Sequence, residues 1–247
     1  MLVVGIDCAT KESNIGLALG SVQDDRVLVM KIAAGESKVS AETIVDWLSY
    51  GQPALLALDS PLGWPEKLGS QLIGHVAGRS LFSDPDVLFS RETDRVVREA
   101  LHKKPLEVGA NYIARTAHSA LRLLDDLRQK TGLRIPLAWE MGIVKETCAI
   151  EVYPAGTLKA RNIEAVKKDD ELASKRRTEL LKQLQIDIDL EKGGKIIIDN
   201  ADAFDAVMCI LAGSDFLLGR CIPIPADKME LVKKEGWIWV RKPVPSI

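Results

Sequence analysis

Two short apolar segments, far apart in the chain, both end in an aspartate. The first is Leu2–Asp7 and the second is Ala54–Asp59. Both are typical of strands, and the second is apolar enough for a strand buried on both faces. An ionised carboxylate in such surroundings costs several kcal/mol unless a partner compensates it. Neither segment contains Lys or Arg, so we expect the fold to bring the two acids to a shared cation.

A third acidic feature lies near the end of the chain. Asp202 and Asp205 belong to a predicted helix over 200–218, and their spacing places them on one helix face. Asp202 also suits the helix N-terminus, with Asp199 or Asn200 as the cap. Asp205 lies beyond the first turn, where capping does not account for it.

These acids predict a metal site. Four carboxylates in one pocket cannot all ionise without a cation, because like charges raise each other's pKa. Mg²⁺ or Mn²⁺ fits a set of oxygen ligands. The expected metal ligands are Asp7, Asp59, Asp202 and Asp205.

The hydrophobic pattern predicts one α/β domain over residues 1–247, with a mixed five-stranded sheet and flanking helices. A helical insertion is expected at about 60–145, with helices over 91–103 and 111–130. The predicted strands cover 2–8, 16–20, 27–32, 54–59 and 147–153, with a possible edge strand at 236–240. The other predicted helices cover 40–50, 169–184 and 200–218.

Composition excludes several other classes. The net charge is −2 and the sequence pI is near 6.0, whereas a dedicated duplex-coating protein is usually basic. The four cysteines and three histidines show no zinc-ligand spacing. No apolar run reaches the roughly 18 residues of a membrane span, and the N-terminus lacks a signal-peptide core. The expectation is a cytoplasmic protein without membrane contact.

The element order resembles that of the ribonuclease H-like superfamily, in which the first strand is central and the fourth lies parallel beside it. Five strings resemble more closely the predicted nucleases catalogued as domain-of-unknown-function family 429. They are Gly5-Ile6-Asp7-Cys8-Ala9, Leu58-Asp59-Ser60-Pro61-Leu62-Gly63, Arg91-Glu92-Thr93-Asp94-Arg95, Glu151-Val152-Tyr153-Pro154-Ala155 and Asp202-Ala203-Phe204-Asp205-Ala206. The Asp-x-x-Asp helix is also similar to that of Holliday-junction resolvases, although those carry Glu where this chain has Asp59.

The resemblance and the acids together imply a metal-dependent nuclease that acts on DNA or RNA. Two Mg²⁺ or Mn²⁺ ions about 4 Å apart can activate a water and stabilise the leaving oxygen of a phosphodiester. Glu151, near the end of the fifth strand, is a further candidate catalytic residue unless it points to solvent. Candidate phosphate contacts are Arg91, Arg95, Lys159 and Lys175, although their acidic neighbours also fit solvated helix faces.

Two other functions remain open from the sequence. One is a non-catalytic nucleic-acid-binding or scaffold protein on the same fold. The other is an actin-like ATP-dependent phosphotransferase, which shares the sheet. The second is disfavoured because the segment after the first strand, residues 8–13, lacks the glycines of a phosphate loop, and the chain is short for duplicated halves.

Overall fold

A mixed six-stranded sheet forms the centre of the computed structural model, which describes residues 1–35, 40–49, 51–109, 111–166, 170–190 and 194–244. The strands are β1 Leu2–Asp7, β2 Gly16–Gln23, β3 Arg26–Ala33, β4 Ala54–Asp59, β5 Cys148–Glu151 and β6 Ile188–Leu190. Their order across the sheet is β5-β4-β1-β2-β3-β6. The β1–β2 and β2–β3 pairs are antiparallel, whereas β1–β4, β4–β5 and β3–β6 are parallel.

Helices cover both faces of this sheet. They are α1 Ser40–Leu48, α2 Glu66–Leu72, α3 Pro85–Phe89, α4 Glu92–Leu101, α5 Asn111–Thr131, α6 Pro154–Lys159, α7 Ala173–Gln183, α8 Gly194–Asp199, α9 Ala201–Leu217 and α10 Met229–Glu235. Alternate side chains of a strand point to opposite faces. Val3 therefore packs in the core under α9, whereas Val4 and Ile6 pack in the core under α1 and α5.

Helix α9 lies directly on β1 and β2 because glycines leave room for its backbone. A Cβ atom at Gly5 would lie 2.0 Å from the carbonyl oxygen of Ala206, and one at Gly16 would lie 1.9 Å from that of Asp202. Real Cβ atoms do not approach so closely, so larger residues at these positions would displace the helix. The first turn of α9 is thereby fixed beside the end of β1.

The sheet differs from the prediction at both edges. Strand β6, only three residues long, adds a sixth strand beside β3. The predicted edge strand at 236–240 is instead a single bridge between Ile238 and Glu151. At this bridge the Trp239 N–H donates to the Glu151 carbonyl oxygen at 2.9 Å, and the Ile238 N–H points the other way, to the Thr93 hydroxyl at 2.8 Å.

The two long helices predicted within 60–145 are confirmed as α4 and α5. The helix expected over 169–184 begins at Ala173, and residues 167–169 lie outside the described part of the chain, as does Tyr50 at the expected end of α1. The short helices α6, α8 and α10 were not predicted. Within the described ranges, no helix combines the length and the apolar character that crossing a membrane requires.

Candidate functional site

The two strand-ending aspartates lie side by side in the sheet. Asp7 and Asp59 are register partners in the parallel β1–β4 pair, at the carboxyl end of both strands. Neighbouring strands are about 4.8 Å apart, and register partners project from the same face. Asp7 is buried, with 6% exposure, and Asp59 is half-buried. Ligand sites of α/β sheets form at this end of the strands.

Helix α9 brings the backbone of Asp202 to the same end of the sheet. Gly16, which contacts the Asp202 backbone, is the register partner of Asp7 on the other side of β1. The side chain of Asn200 caps the helix by accepting from the Ala203 N–H at 2.8 Å, which fixes where its first turn starts. Asp205 follows in the next turn, and both acids of the helix are half-buried.

A buried thiol lies beneath the end of β1, among the fields of these acids. The Cys209 sulfur lies 3.6 Å from the Ile6 carbonyl oxygen, beneath the end of β1. Burial raises the pKa of this thiol, and the negative charges of Asp59, Asp7 and Asp205 raise it further. The charges of three predicted metal ligands therefore act on one buried thiol.

The side chains of these acids do not form a closed metal shell. Among the described residues, no group of three or more His, Cys, Asp or Glu side chains has the geometry to hold a metal ion. Each of the four acids also takes part in a hydrogen-bonding or electrostatic interaction within the chain. Their oxygen donors suit Mg²⁺ or Mn²⁺.

A cleft of about 220 Å³ opens beside Asp7 and Asp59. Its other walls come from the segment between α4 and α5, from α5 itself and from the residues after β5; they include Leu106, Ile113 and Tyr153. The ring of Tyr153 rests on Gly156, where an added Cβ would lie 2.4 Å from the ring. Burial, followed by the charge of Asp59, raises the pKa of Tyr153 to about 12, so the phenol stays protonated.

A buried ion-pair network borders the same cleft. The Arg91 guanidinium donates to both oxygens of Glu151, at 2.7 and 2.8 Å, and to both oxygens of Asp94, at 2.9 and 3.2 Å. Its remaining N–H donates to the Glu235 carbonyl oxygen at 3.1 Å. All five donors of a guanidinium are thus engaged. Burial raises the pKa of Glu151, although the charge of Arg91 opposes this shift.

This network corrects the expectation for Arg91 and excludes the solvent-facing alternative for Glu151. Arg91 has 1% exposure and its donors are taken by protein acceptors, so it is a structural cation rather than a phosphate contact. Glu151 does not point to solvent either, because its exposure is 4%. Its register partner is Leu58, which packs under α1 and α5. Glu151 therefore projects from the face opposite to Asp59, and its carboxylate holds Arg91 and the Leu62 N–H at 3.0 Å.

The other predicted phosphate contacts lie away from the cleft walls in the part of the chain that the structure describes. Arg95 pairs with Glu92 on α4. Lys159 and Lys175 are exposed, at the end of α6 and on α7 respectively. The sequence reasoning missed Glu235, whose carboxylate accepts the N–H groups of Glu66 and Glu92, each at 2.8 Å. It gave no sequence signal because its contacts are with backbone.

Comparison with known proteins adds a family. The model of a family described as "Protein of unknown function (DUF429)" matches residues 5–230. This range includes all five predicted acids and most of the cleft walls. The comparison with curated proteins gives no match.

Proposed function

The chain belongs to the DUF429 family, and we propose that it is a Mg²⁺- or Mn²⁺-dependent nuclease that hydrolyses phosphodiester bonds. The observation that carries the proposal is the register of Asp7 with Asp59 on one side and with Gly16, under Asp202, on the other. Chain segments separated by most of the sequence thus supply carboxylates to one end of one sheet.

The sheet order supports a ribonuclease H-like assignment for this α/β fold. Strand β1 is central, β2 and β3 follow it in antiparallel order, and β4 and β5 lie parallel on its other side. Strand β6 is an addition to the order that the resemblance implies. Fold does not determine function, so the proposal rests on the acids themselves.

In the proposal, Asp7 and Asp59 hold the cation, and Asp202 and Asp205 complete its shell from α9. A bound divalent cation supplies an activated water and neutralises charge on the reacting phosphate. The proposal requires the aspartate side chains to rotate on metal binding, since no group of the described residues has metal-holding geometry. Burial of Asp7 and the fixed start of α9 limit how far these groups can separate.

The negative charge of the site makes the approach of a nucleic acid depend on a cation. Four carboxylates repel a phosphate, so a nucleic acid can approach this end of the sheet only with a cation in place. The alternative, a non-catalytic binding protein, would need a cationic surface elsewhere. We therefore expect both cleavage and metal binding to depend on the same aspartates.

The test is a cleavage assay with purified protein and Mg²⁺ or Mn²⁺ on single-stranded and duplex DNA, RNA and branched substrates. Cleavage is expected with either metal and is expected to stop with a chelator, in Asp7→Asn and in Asp205→Asn. A matched control is Asp227→Asn, since the Asp227 side chain is 74% exposed in a separate 3₁₀ turn. No cleavage of any substrate by the wild type would contradict the proposal.

A further inference from the structure

The cleft beside the acids has two chemically different halves. Asp7 and Asp59 form one end, at the edge of the sheet. Pro105, Leu106 and Ile113 form an apolar wall, which the helical insertion supplies. Leu106 is 69% exposed, although burial of a leucine side chain is worth about 1.5–3 kcal/mol. An apolar group of a ligand would cover this wall.

Tyr153 adds an aromatic surface between the two halves. It lines the cleft together with Asp59 and Ile238. The ring cannot move towards α6, because the backbone at Gly156 lies against it. The ammonium of Lys103 lies 6.0 Å from the ring centroid. An aromatic ring next to a cation and an apolar wall suits a planar, polarisable ligand.

The size of the cleft limits what can enter it. Its volume of about 220 Å³ is below the roughly 300–1,000 Å³ of most drug-sized ligand pockets. It therefore suits a single ring system with its attached phosphate at the acidic end. A base within a duplex is stacked and paired and cannot reach such a site unless it leaves the stack.

We propose that the apolar half of the cleft is a binding site for the base of one unpaired nucleotide. The inference rests on the proposed function, because the metal-bound acids hold the adjoining phosphate. The base lies against Tyr153 and the wall at Leu106, and the phenol donates a hydrogen bond to it or to its sugar. The substrate class is thus single-stranded or frayed nucleic acid.

The test is a binding measurement by fluorescence anisotropy, with Ca²⁺ as the oxygen-seeking cation. The probes are a labelled oligothymidylate and a blunt duplex of matched length. We expect the single strand to bind at least tenfold more tightly. Tyr153→Leu, which removes the ring, is expected to weaken single-strand binding about tenfold, as one base-stacking contact would. Tyr153→Phe, which removes only the hydroxyl, is expected to weaken it less.

Leu106→Asp tests the wall without disturbing the core, since this side chain is exposed. It is expected to weaken single-strand binding about tenfold or more, because it places an anion where the base lies. Leu133→Asp is the matched control: Leu133 is 41% exposed, follows α5 and lies outside the cleft. Thermal melting of each variant checks that the fold is intact.

Three outcomes overturn the inference: equal binding of duplex and single strand, equal effects of Leu106→Asp and Leu133→Asp, or no binding of either probe. Its failure is distinguishable from failure of the proposed function. If the protein cleaves nucleic acid without preferring unpaired strands, the base site is contradicted and the nuclease proposal stands. If single-strand binding depends on Tyr153 but nothing is cleaved in Mg²⁺ or Mn²⁺, the nuclease proposal is contradicted and the base site stands.

Discussion

Two groups of carboxylates lie at the same end of the sheet, and they differ in what holds them. Around Glu151, the chain supplies its own cation: Arg91 engages both Glu151 and Asp94 with 1% exposure. Around Asp7 and Asp59, strand register and helix packing supply further carboxylates. The difference shows that a buried acid at a strand end can be paired with a cation of the chain itself. The face from which it projects decides which partner it meets.

Removal of the buried arginine is expected to lower the stability of the protein more than any other change proposed below. Arg91→Met leaves Glu151 and Asp94 buried without their cation, so the free energy of unfolding is expected to fall by about 3–5 kcal/mol. Urea denaturation measures this change. Arg95→Met, one turn further along α4 at a partly exposed pair, is the control and is expected to cost about 0–1 kcal/mol. Similar losses in the two variants would show that the buried network is not special.

A smaller loss is expected when the acid rather than the arginine is changed. Glu151→Gln keeps the shape of the side chain but removes the charge that faces Arg91. Asp94 remains, so we expect a loss of about 1.5–3 kcal/mol, the value of a charge-assisted hydrogen bond. Glu146→Gln at the exposed pair with Arg134 is the control in the same denaturation series. If Glu151→Gln did not change the free energy of unfolding, Asp94 alone would be sufficient to stabilise the buried charge of Arg91.

The packing that positions the first group can be tested without touching an acid. Gly16→Ala would place a Cβ 1.9 Å from the Asp202 carbonyl oxygen, so α9 or β2 must shift. We expect a loss of about 1–3 kcal/mol together with weaker metal binding. Gly69→Ala, on α2 with open space around it, is expected to stabilise the chain by up to about 1 kcal/mol. If Gly16→Ala bound metal as the wild type does, the packing of α9 on β2 would not be needed for the metal site.

The sequence indicated the first group well and the second poorly. Asp7 and Asp59 end apolar runs, so their strands and strand ends could be located. Glu151 also ends such a run, but its face depends on its register with Leu58, which no local pattern encodes. Arg91, Arg95 and Arg98 recur at helical spacing among acids, a pattern typical of a solvated face. Burial of Arg91 alone depends on tertiary contacts with β5 and α10.

Strand β6 and the C-terminal segment show the same limit. Three residues are too few for a period to be recognised, and β6 exists because β3 offers it an edge. The segment around Ile238 has the composition of a strand, yet within 236–240 it pairs with β5 at a single bridge. The helices α4 and α5 were predictable because their apolar faces repeat over several turns.

Calorimetric titration of Mn²⁺ into the wild type, Asp7→Asn and Glu151→Gln tests whether the metal site lies on the α9 side of the sheet. Because Asp7 faces α9 and Glu151 projects from the opposite face, the wild type and Glu151→Gln are expected to bind Mn²⁺ alike, whereas Asp7→Asn is expected to lose this binding. No binding to the wild type, or equal binding to Asp7→Asn, would contradict the account.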